Sequence, residues 1–414
     1  MDFDFKTHLS KLLSIPPSQI TIQVLTGGLL NAAARASFTP PVDLTRFGHP
    51  QSVQSVVLKY SPPYMVSEPL VPLDTIRQDI EARALVLLDP NSESALPVSS
   101  LLFTKYPNIK TPRLIHHDHE ERVLIMTDLG SSVITLENWL TQEPPPSSED
   151  VERIAKDLGC FLGEFVIATS KPSVEEILSN SLLQQLPSNL TLMHQFDGSV
   201  VNNLKAILQD VPDVDVLTKR VEDAARESMK TDLCLGIVDL WCNNIVIDSD
   251  KNTCLLDWEL FGCSNASWEM SLLGAFILFY LFFHIDTFPQ TVQTLHWILL
   301  KSSSTDAAKN HTNTFVSTML QNYSQVRADA PSPHFKRQAL IYYGRETISL
   351  LKWYADELDD DNMKKEKILE LGLTYLRAAG ASVDTMDVSI FDSETTVSPY
   401  ERLFEKAKTI LAAR

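Results

Sequence analysis

Asp239-Leu240-Trp241-Cys242-Asn243-Asn244-Ile245-Val246-Ile247-Asp248 runs through a polar tip into Thr253-Cys254-Leu255-Leu256-Asp257-Trp258-Glu259. The segments Ile245–Ile247 and Thr253–Leu256 are short and β-branched or apolar, and Asp248-Ser249-Asp250-Lys251-Asn252 between them is turn chemistry. That pattern predicts a β-hairpin. Asn244 stands just before its first strand and Asp257 just after its second. Closing the hairpin brings the two opposite each other, about 5 Å apart at the backbone. Both offer oxygen ligands of the kind a hard cation such as Mg²⁺ takes. Asp239 lies on the loop leading in, close enough to face the same spot. A carboxylate to receive a proton, with a carboxylate–amide pair for a metal, is the equipment of phosphoryl transfer. The bland alternative is a surface hairpin with ordinary polar ends.

Spacing alone does not carry this reading. Asp197, Asn202 and Asp215 repeat the same offsets. Between Asn202 and Asp215, however, Leu204, Ile207 and Leu208 run at helical spacing and Pro212 interrupts, so no hairpin closes and that second set cannot converge.

The chain has 414 residues, enough for two domains or one large bilobal one, and its 44% apolar and 21% charged composition is that of a folded protein. With 35 basic against 53 acidic residues its formal charge is −18. That field would repel nucleic acid and anionic membrane surfaces, so neither is an expected partner. A nucleotide needs only a local lysine and a metal. The five cysteines form no CxxC pair and are odd in number, which reads as reduced thiols in a cytoplasmic protein. Cys242, inside the loop, is either reactive or a small filler. The N-terminus Met1-Asp2-Phe3-Asp4-Phe5-Lys6 has no apolar core of a signal peptide.

Along the chain, Asp4 to Leu13 is a short amphipathic helix stopped by Pro16-Pro17. Strands follow at Ile20 to Leu25, at Ala32 to Phe38 (ended by Pro40-Pro41), and at Val53 to Tyr60. Gly27-Gly28-Leu29-Leu30-Asn31 joins the first two as a tight turn whose backbone N–H groups can approach a phosphate; a plain hairpin turn is the alternative. Lys59, on the third strand, needs an anionic partner if it is buried. A nucleotide phosphate is one option and Glu81, on a helix from about Thr75 to Leu88, is another; an edge-strand lysine facing water is the third.

Pro90 to Ser100 reads as loop. Leu114 to His117 and Val123 to Met126 read as an antiparallel pair, with His116, His117 and His119 at a solvent-facing tip rather than a metal site. At Thr127-Asp128-Leu129-Gly130 the composition changes, and two lobes are expected, 1–129 and 130–414. Ser148 reads as the N-cap of a long helix, Val151 to Ala168. Ser199–Leu208 and Val216–Met229 are further helices. Phe261 to Ser267 is read as a loop and Trp268 to Ile285 as a helix, whose apolar run Leu272 to Phe283 is too short to span a bilayer. Gln290–Leu300, Asn313–Gln325, Phe335–Tyr354, Met363–Ala379 and a tail from Tyr400 complete the expected helices.

Taken in order, Gly27-Gly28-Leu29-Leu30-Asn31, Val57-Leu58-Lys59, Leu124-Ile125-Met126-Thr127-Asp128-Leu129-Gly130, Asp239-Leu240-Trp241 with Asn244-Ile245, and Leu256-Asp257-Trp258-Glu259 make the chain resemble the aminoglycoside phosphotransferase and methylthioribose kinase group over roughly residues 20 to 380. Within it the chain looks most like the small-molecule kinases of fungal secondary metabolism. The resemblance implies an α+β, bilobal protein-kinase-like fold, with a small antiparallel sheet lobe and a larger, mainly helical lobe. It implies an ATP-dependent, magnesium-requiring phosphotransferase acting on a hydroxyl of a small metabolite. Gly27, Gly28 and Asn31 would line the nucleotide, and Lys59, aligned by Glu81, would hold the α- and β-phosphates. Met126, Asp128 and Leu129 would form the hinge on the adenine edge. Asp239 would accept the hydroxyl proton, and Asn244 and Asp257 would hold Mg²⁺. Glu259, two residues on, would meet a second metal or the substrate.

The chain departs from the group at several places. Ile237-Val238 replaces the usual His-Gly pair, although the fungal kinase it looks most like also lacks that pair. Asn243 replaces a Gly, Glu269 a bracing Asp, and Glu164-Phe165-Val166 a helix end in His. These departures leave a nucleotide-binding pseudokinase as the alternative function. A hydrolase using Asp257 and Glu259 would leave Lys59 without a role. The acceptor pocket would lie between Asp239 and second-lobe helices, with Trp241, Trp268, Tyr280, Trp353 and Tyr354 either lining it or forming core.

Overall fold

The computed structural model describes residues 3–26, 28, 30–49, 52–67, 69–170, 201–228, 233–236, 240, 242–265, 305–327, 333–353 and 362–387. Its first part is an antiparallel sheet in the order β1-β2-β3-β6-β5. The strands are β1 (Ile20–Leu25), β2 (Ala32–Asp43), β3 (Ser52–Tyr60), β5 (Leu114–Asp118) and β6 (Val123–Thr127), with the short β4 (Ile109–Lys110) elsewhere. On β2 the residues Ala32, Ala34, Ala36 and Phe38 alternate into a core with Ile20, Val56, Leu58, Val123 and Ile125. Helix α1 (Phe5–Leu13) closes that core with Phe5, Leu9 and Leu13, and Asp4 caps it by accepting the Thr7 N–H at 3.0 Å.

Side chains alternate along a strand. Because Val56 and Leu58 point into this first core, Val57 and Lys59 face the other side, where α2 (Ile76–Leu88) lies. Leu124 and Met126 join Val57 there, in a second core that continues through Trp139, Phe161, Leu255, Trp258 and Phe315 to Tyr375. The sheet is thus apolar on both faces, and Lys59 is an ammonium placed on an inward-facing position.

The second part is mainly helical: α4 (Leu136–Thr141), α5 (Ser148–Thr169), a helical stretch at 201–207, and the helices Val214–Ser228, Asp306–Arg327, Pro333–Trp353 and Asn362–Ala378. Against them lies a small sheet, β4-β10-β9-β7, built on the expected hairpin β9 (Ile245–Ile247) and β10 (Thr253–Leu255), with β7 (Ile134–Thr135) at its edge. The chain is α+β, an antiparallel sheet followed by a mainly helical body, the arrangement expected from its motifs. Among the described residues no helix is long and apolar enough to cross a membrane. The apolar run 272–283, the helix at 290–300 and the tail helix lie outside the described residues.

Several boundaries differ from the sequence expectation. β2 does not stop at Pro40-Pro41: its pairing with β1 ends at Phe38, and its register against β3 shifts between Ser37 and Val42, so the prolines fall where no ladder N–H is needed. The expected loop at 90–100 contains the start of helix α3 (Pro97–Lys105), with Pro97 in the first turn, where a missing N–H costs nothing. The cap of α5 is Ser147, whose hydroxyl accepts the Asp150 N–H at 3.1 Å, one residue before the expected Ser148. The expected loop after Phe261 holds strand β11 (Gly262–Asn265), paired with β8 (Leu233–Gly236). Cys242 is buried, as a filler would be.

Glycines let helices of this body approach closely, most tightly at Gly159. A Cβ built on Gly159 of α5 would sit 2.2 Å from the Met319 carbonyl oxygen of the helix Asp306–Arg327. Gly159→Ala therefore has to push two backbones apart, and is expected to lower stability by about 1–3 kcal/mol. Urea unfolding of the variant beside the parent, at unchanged m-value, measures this.

Candidate functional site

The Lys59 side chain is 8% exposed as a residue, and its ammonium meets carboxylates from two distant parts of the chain. Glu81 Oε2, from α2, is 2.6 Å away. Asp257, just past β10, accepts a hydrogen bond from the ammonium, and Glu259 Oε2 lies at 3.5 Å. Oxygens of Glu81, Asp257 and Glu259 fall within 4.8 Å of one another. The Glu81 contact is an ion pair rather than an aligned hydrogen bond.

Behind the trio stands Arg77, one turn before Glu81 on α2 and 1% exposed. Its Nε donates to Asn31 Oδ1 at 3.0 Å and lies 3.9 Å from Glu259 Oε2, and its other nitrogens donate to the Asp74 and Pro62 carbonyls at 2.5 and 2.7 Å. Asn31 Nδ2 in turn donates to Glu259 Oε2. The cluster therefore holds two cations, Lys59 and Arg77, against three carboxylates, one negative charge in excess.

Electrostatics follow from this imbalance. Burial alone would pull the Lys59 ammonium down, but Asp257, Glu259 and Glu81 together hold it well above the ordinary lysine range, so it stays charged. The two buried acids, Glu81 and Glu259, are compensated only in part. Glu81 is pushed up to about 7, by burial first and by the charges of Asp257 and Glu259, against the pull of Lys59. Glu259 is raised by burial first and by the charge of Asp257, against Lys59, Arg77 and Asn31.

Asp257 is the open face of the cluster: its side chain is 28% exposed, against 3% for Glu81 and 1% for Glu259. The hairpin register pairs Leu255 with Ile245, and the Leu256 N–H donates to the Asn244 carbonyl at 2.8 Å. Asn244 thus stands opposite Leu256, and Asp257 is one residue beyond rather than directly across. Asp257 leaves the ladder with φ of +62°, a left-handed conformation that Asp tolerates better than most residues. Asn244 is buried at the same end of the hairpin. Oxygen donors alone, in a cluster one negative charge in excess, suit a hard divalent cation.

The glycine turn is equally constrained. A Cβ on Gly28 would lie 2.8 Å from the Asn31 carbonyl oxygen, so only glycine lets the chain fold back this tightly. At the expected hinge, Met126 is buried, and the Asp128 carboxylate is engaged by Arg35 through a two-pronged contact at 2.7 and 3.0 Å and by the Gly130 N–H at 2.9 Å. Burial would raise that carboxyl, yet these hydrogen bonds hold it below the ordinary range. The Asp128 side chain thus fastens the hinge to β2, and Leu129 follows it directly. Gly27, Asp239, Ile237, Val238, Trp241, Trp268, Glu269, Tyr280 and Tyr354, and the Trp353 side chain, lie outside the described residues.

Sequence reasoning missed Arg77 and Arg35. Arg77 was findable as a cation four residues before Glu81, on the same helix face. Arg35 gave no local signal, since its partner is 93 residues away.

The site thus joins a buried lysine, a helix carboxylate and the Asp that follows a hairpin. No family model matches the chain. It is similar in sequence to 4-hydroxytryptamine kinase of Psilocybe cyanescens, 26% identical over 285 residues that cover 65% of this chain and 72% of that protein. Among solved structures it is similar to choline kinase from Cryptosporidium parvum, with a TM-score of 0.45 and 12% identity over 90% of this chain and 94% of that one. It is also similar to an ADP-bound aminoglycoside phosphotransferase, with a TM-score of 0.41 and 15% identity over 94% of this chain and 99% of that one. The similarity is to a small-molecule kinase, the class its motifs resemble.

The raised Glu81 carboxyl fixes a pH dependence. A group that binds its proton more tightly when folded stabilises the fold fully below its unfolded value of 4.5, and loses that contribution as pH rises through about 7. Melting temperatures of the parent are therefore expected to decline across that window. Glu81→Gln should flatten the decline; parallel curves would assign it to other groups.

Proposed function

We propose that this protein is an ATP-dependent phosphotransferase that moves the γ-phosphoryl group to a hydroxyl of a small metabolite. The observation that carries the reading is the Lys59 ammonium, charged, buried and shared between Glu81 and Asp257. A lysine so placed is oriented by the helix on one side and faces the metal-side carboxylate on the other. Residues 1–129 would form the nucleotide lobe and 130–414 the catalytic and acceptor lobe.

In this reading Lys59 takes the α- and β-phosphates while Glu81 keeps it aligned. The Gly27-Gly28 turn covers the phosphates, and Met126 to Leu129 meet the adenine edge, with Arg35 and Asp128 holding that segment to the sheet. Asn31, fixed by Arg77 and Glu259, sets the height of the turn above the carboxylates. Magnesium, held by Asn244 and Asp257, would supply charge neutralisation at the phosphate oxygens. Asp239 orients the acceptor hydroxyl and accepts its proton. The transition state is loose, so placement and charge carry most of the rate. The acceptor to try first is 4-hydroxytryptamine, the substrate named for the relative in Psilocybe cyanescens.

Transfer of ³²P from γ-labelled ATP to a library of hydroxylated metabolites tests the activity. Asp239→Asn is expected to bind ATP nearly as the parent does while kcat falls roughly 10²-fold or more; an unchanged kcat removes Asp239 from the mechanism. Asp257→Ala should lose magnesium-dependent nucleotide binding, and calorimetry showing undiminished MgATP affinity would refute the metal role.

A further inference from the structure

The histidines near residue 117 do not share a solvent tip. His116 and His117 lie within β5, and strand alternation sends them to opposite sides. His116 packs on the Phe47 ring, 4.8 Å between centroids. His117 turns toward α2, where Asp79 comes up to meet it. His119, just past the strand end, folds back so that its ring centroid is 3.7 Å from that of His117.

We propose that His117, His119 and Asp79 form a binding site for a divalent transition-metal ion such as Zn²⁺, stapling helix α2 to the β5–β6 hairpin. One ligand atom from each of the three falls within 4.8 Å of the other two. Asp79 Oδ1 is 3.0 Å from His119 Nδ1 and 3.8 Å from His117 Nε2. Donors around a tetrahedral ion with bonds of about 2.0–2.1 Å stand roughly 3.3 Å apart, so little movement is needed. A fourth donor is at hand. Gln78 Oε1 lies 3.2 Å from His117 Nε2, and its orientation is set because Gln78 Nε2 donates to the Lys59 and Arg122 carbonyls.

Two imidazoles with a carboxylate and an amide oxygen are a borderline donor set, suited to Zn²⁺, Ni²⁺, Co²⁺ or Cu²⁺ rather than to Mg²⁺. The site is separate from the Glu81, Asp257 and Glu259 cluster, yet it grips the same helix two residues before Glu81.

Calorimetric titration of untagged protein with Zn²⁺ tests the proposal, with Co²⁺ absorption as a check on tetrahedral coordination. The parent should take up one equivalent and melt at higher temperature with the ion bound. His119 is exposed, so His119→Ala leaves the fold intact and is expected to weaken Zn²⁺ binding roughly 10-fold or more. Asp79→Asn should do the same, whereas Asp257→Ala should bind Zn²⁺ as the parent does. Absence of saturable binding overturns the proposal. So does binding that survives His119→Ala and Asp79→Asn, or that disappears in Asp257→Ala, which would place the ion at the other cluster.

Discussion

An ammonium on an inward-facing strand position is the constraint around which this molecule is arranged. Removing Lys59 from water without partners would cost several kcal/mol. Its partners come from α2 and from the segment after β10, the latter 198 residues further along the chain. The antiparallel sheet and the helical body are thereby joined by charge as well as by apolar contact. Such a pair contributes little net stability, since well-packed apolar residues of like volume do as well or better. A buried cluster kept at that disadvantage, and left with one negative charge in excess, is better explained by what it binds than by what it stabilises.

The same cluster ties the glycine turn to the hairpin. Asn31 sits at the end of the turn and donates to Glu259, while Arg77 reaches both and also holds the carbonyls of Asp74 and Pro62. A tight turn needing glycine at position 28 is otherwise free to tilt. Here its far end is hydrogen-bonded to the carboxylate two residues past Asp257. Glu259, which the spacing alone would offer to a second metal or to substrate, is thus already engaged by Asn31, Lys59 and Arg77.

Local pattern made much of this legible. The hairpin, the strand that carries Lys59 and the Glu81 helix follow from period and turn chemistry within short windows, whereas the direction of Lys59 was left open until the sheet's second face was seen to be covered. What escaped was non-local or depended on single residues. Helix α3 begins inside a stretch rich in Ser, Pro and Leu, and only Pro97 in its first turn marks it. β11 forms because β8 is there to pair with, a fact that no window around Gly262 contains. The Asn244–Asp257 relation was off by one residue because Asp257 abandons extended geometry, and a pattern of apolar residues does not show where a strand ends its ladder.

That departure has a physical consequence. In continued β geometry Asp257 would stand opposite Asn243, with its side chain direction fixed by the pleat. The left-handed turn at φ of +62° breaks the alternation and frees the carboxylate from that direction. It lets Asp257 and Glu259 both reach the Lys59 ammonium while Trp258, between them, packs against Phe261 in the core. The indole N–H donates to the Leu255 carbonyl at 3.0 Å, which holds the bend from inside. A non-glycine residue in this region is uncommon and costs of order 1 kcal/mol. The other described non-glycine residues with positive φ, Ser14, Arg122 and Lys251, end a helix or turn a hairpin, where the chain must reverse in any case. Asp257 reverses nothing. Its conformation aims two acids at one lysine and leaves Asp257 the more exposed of them.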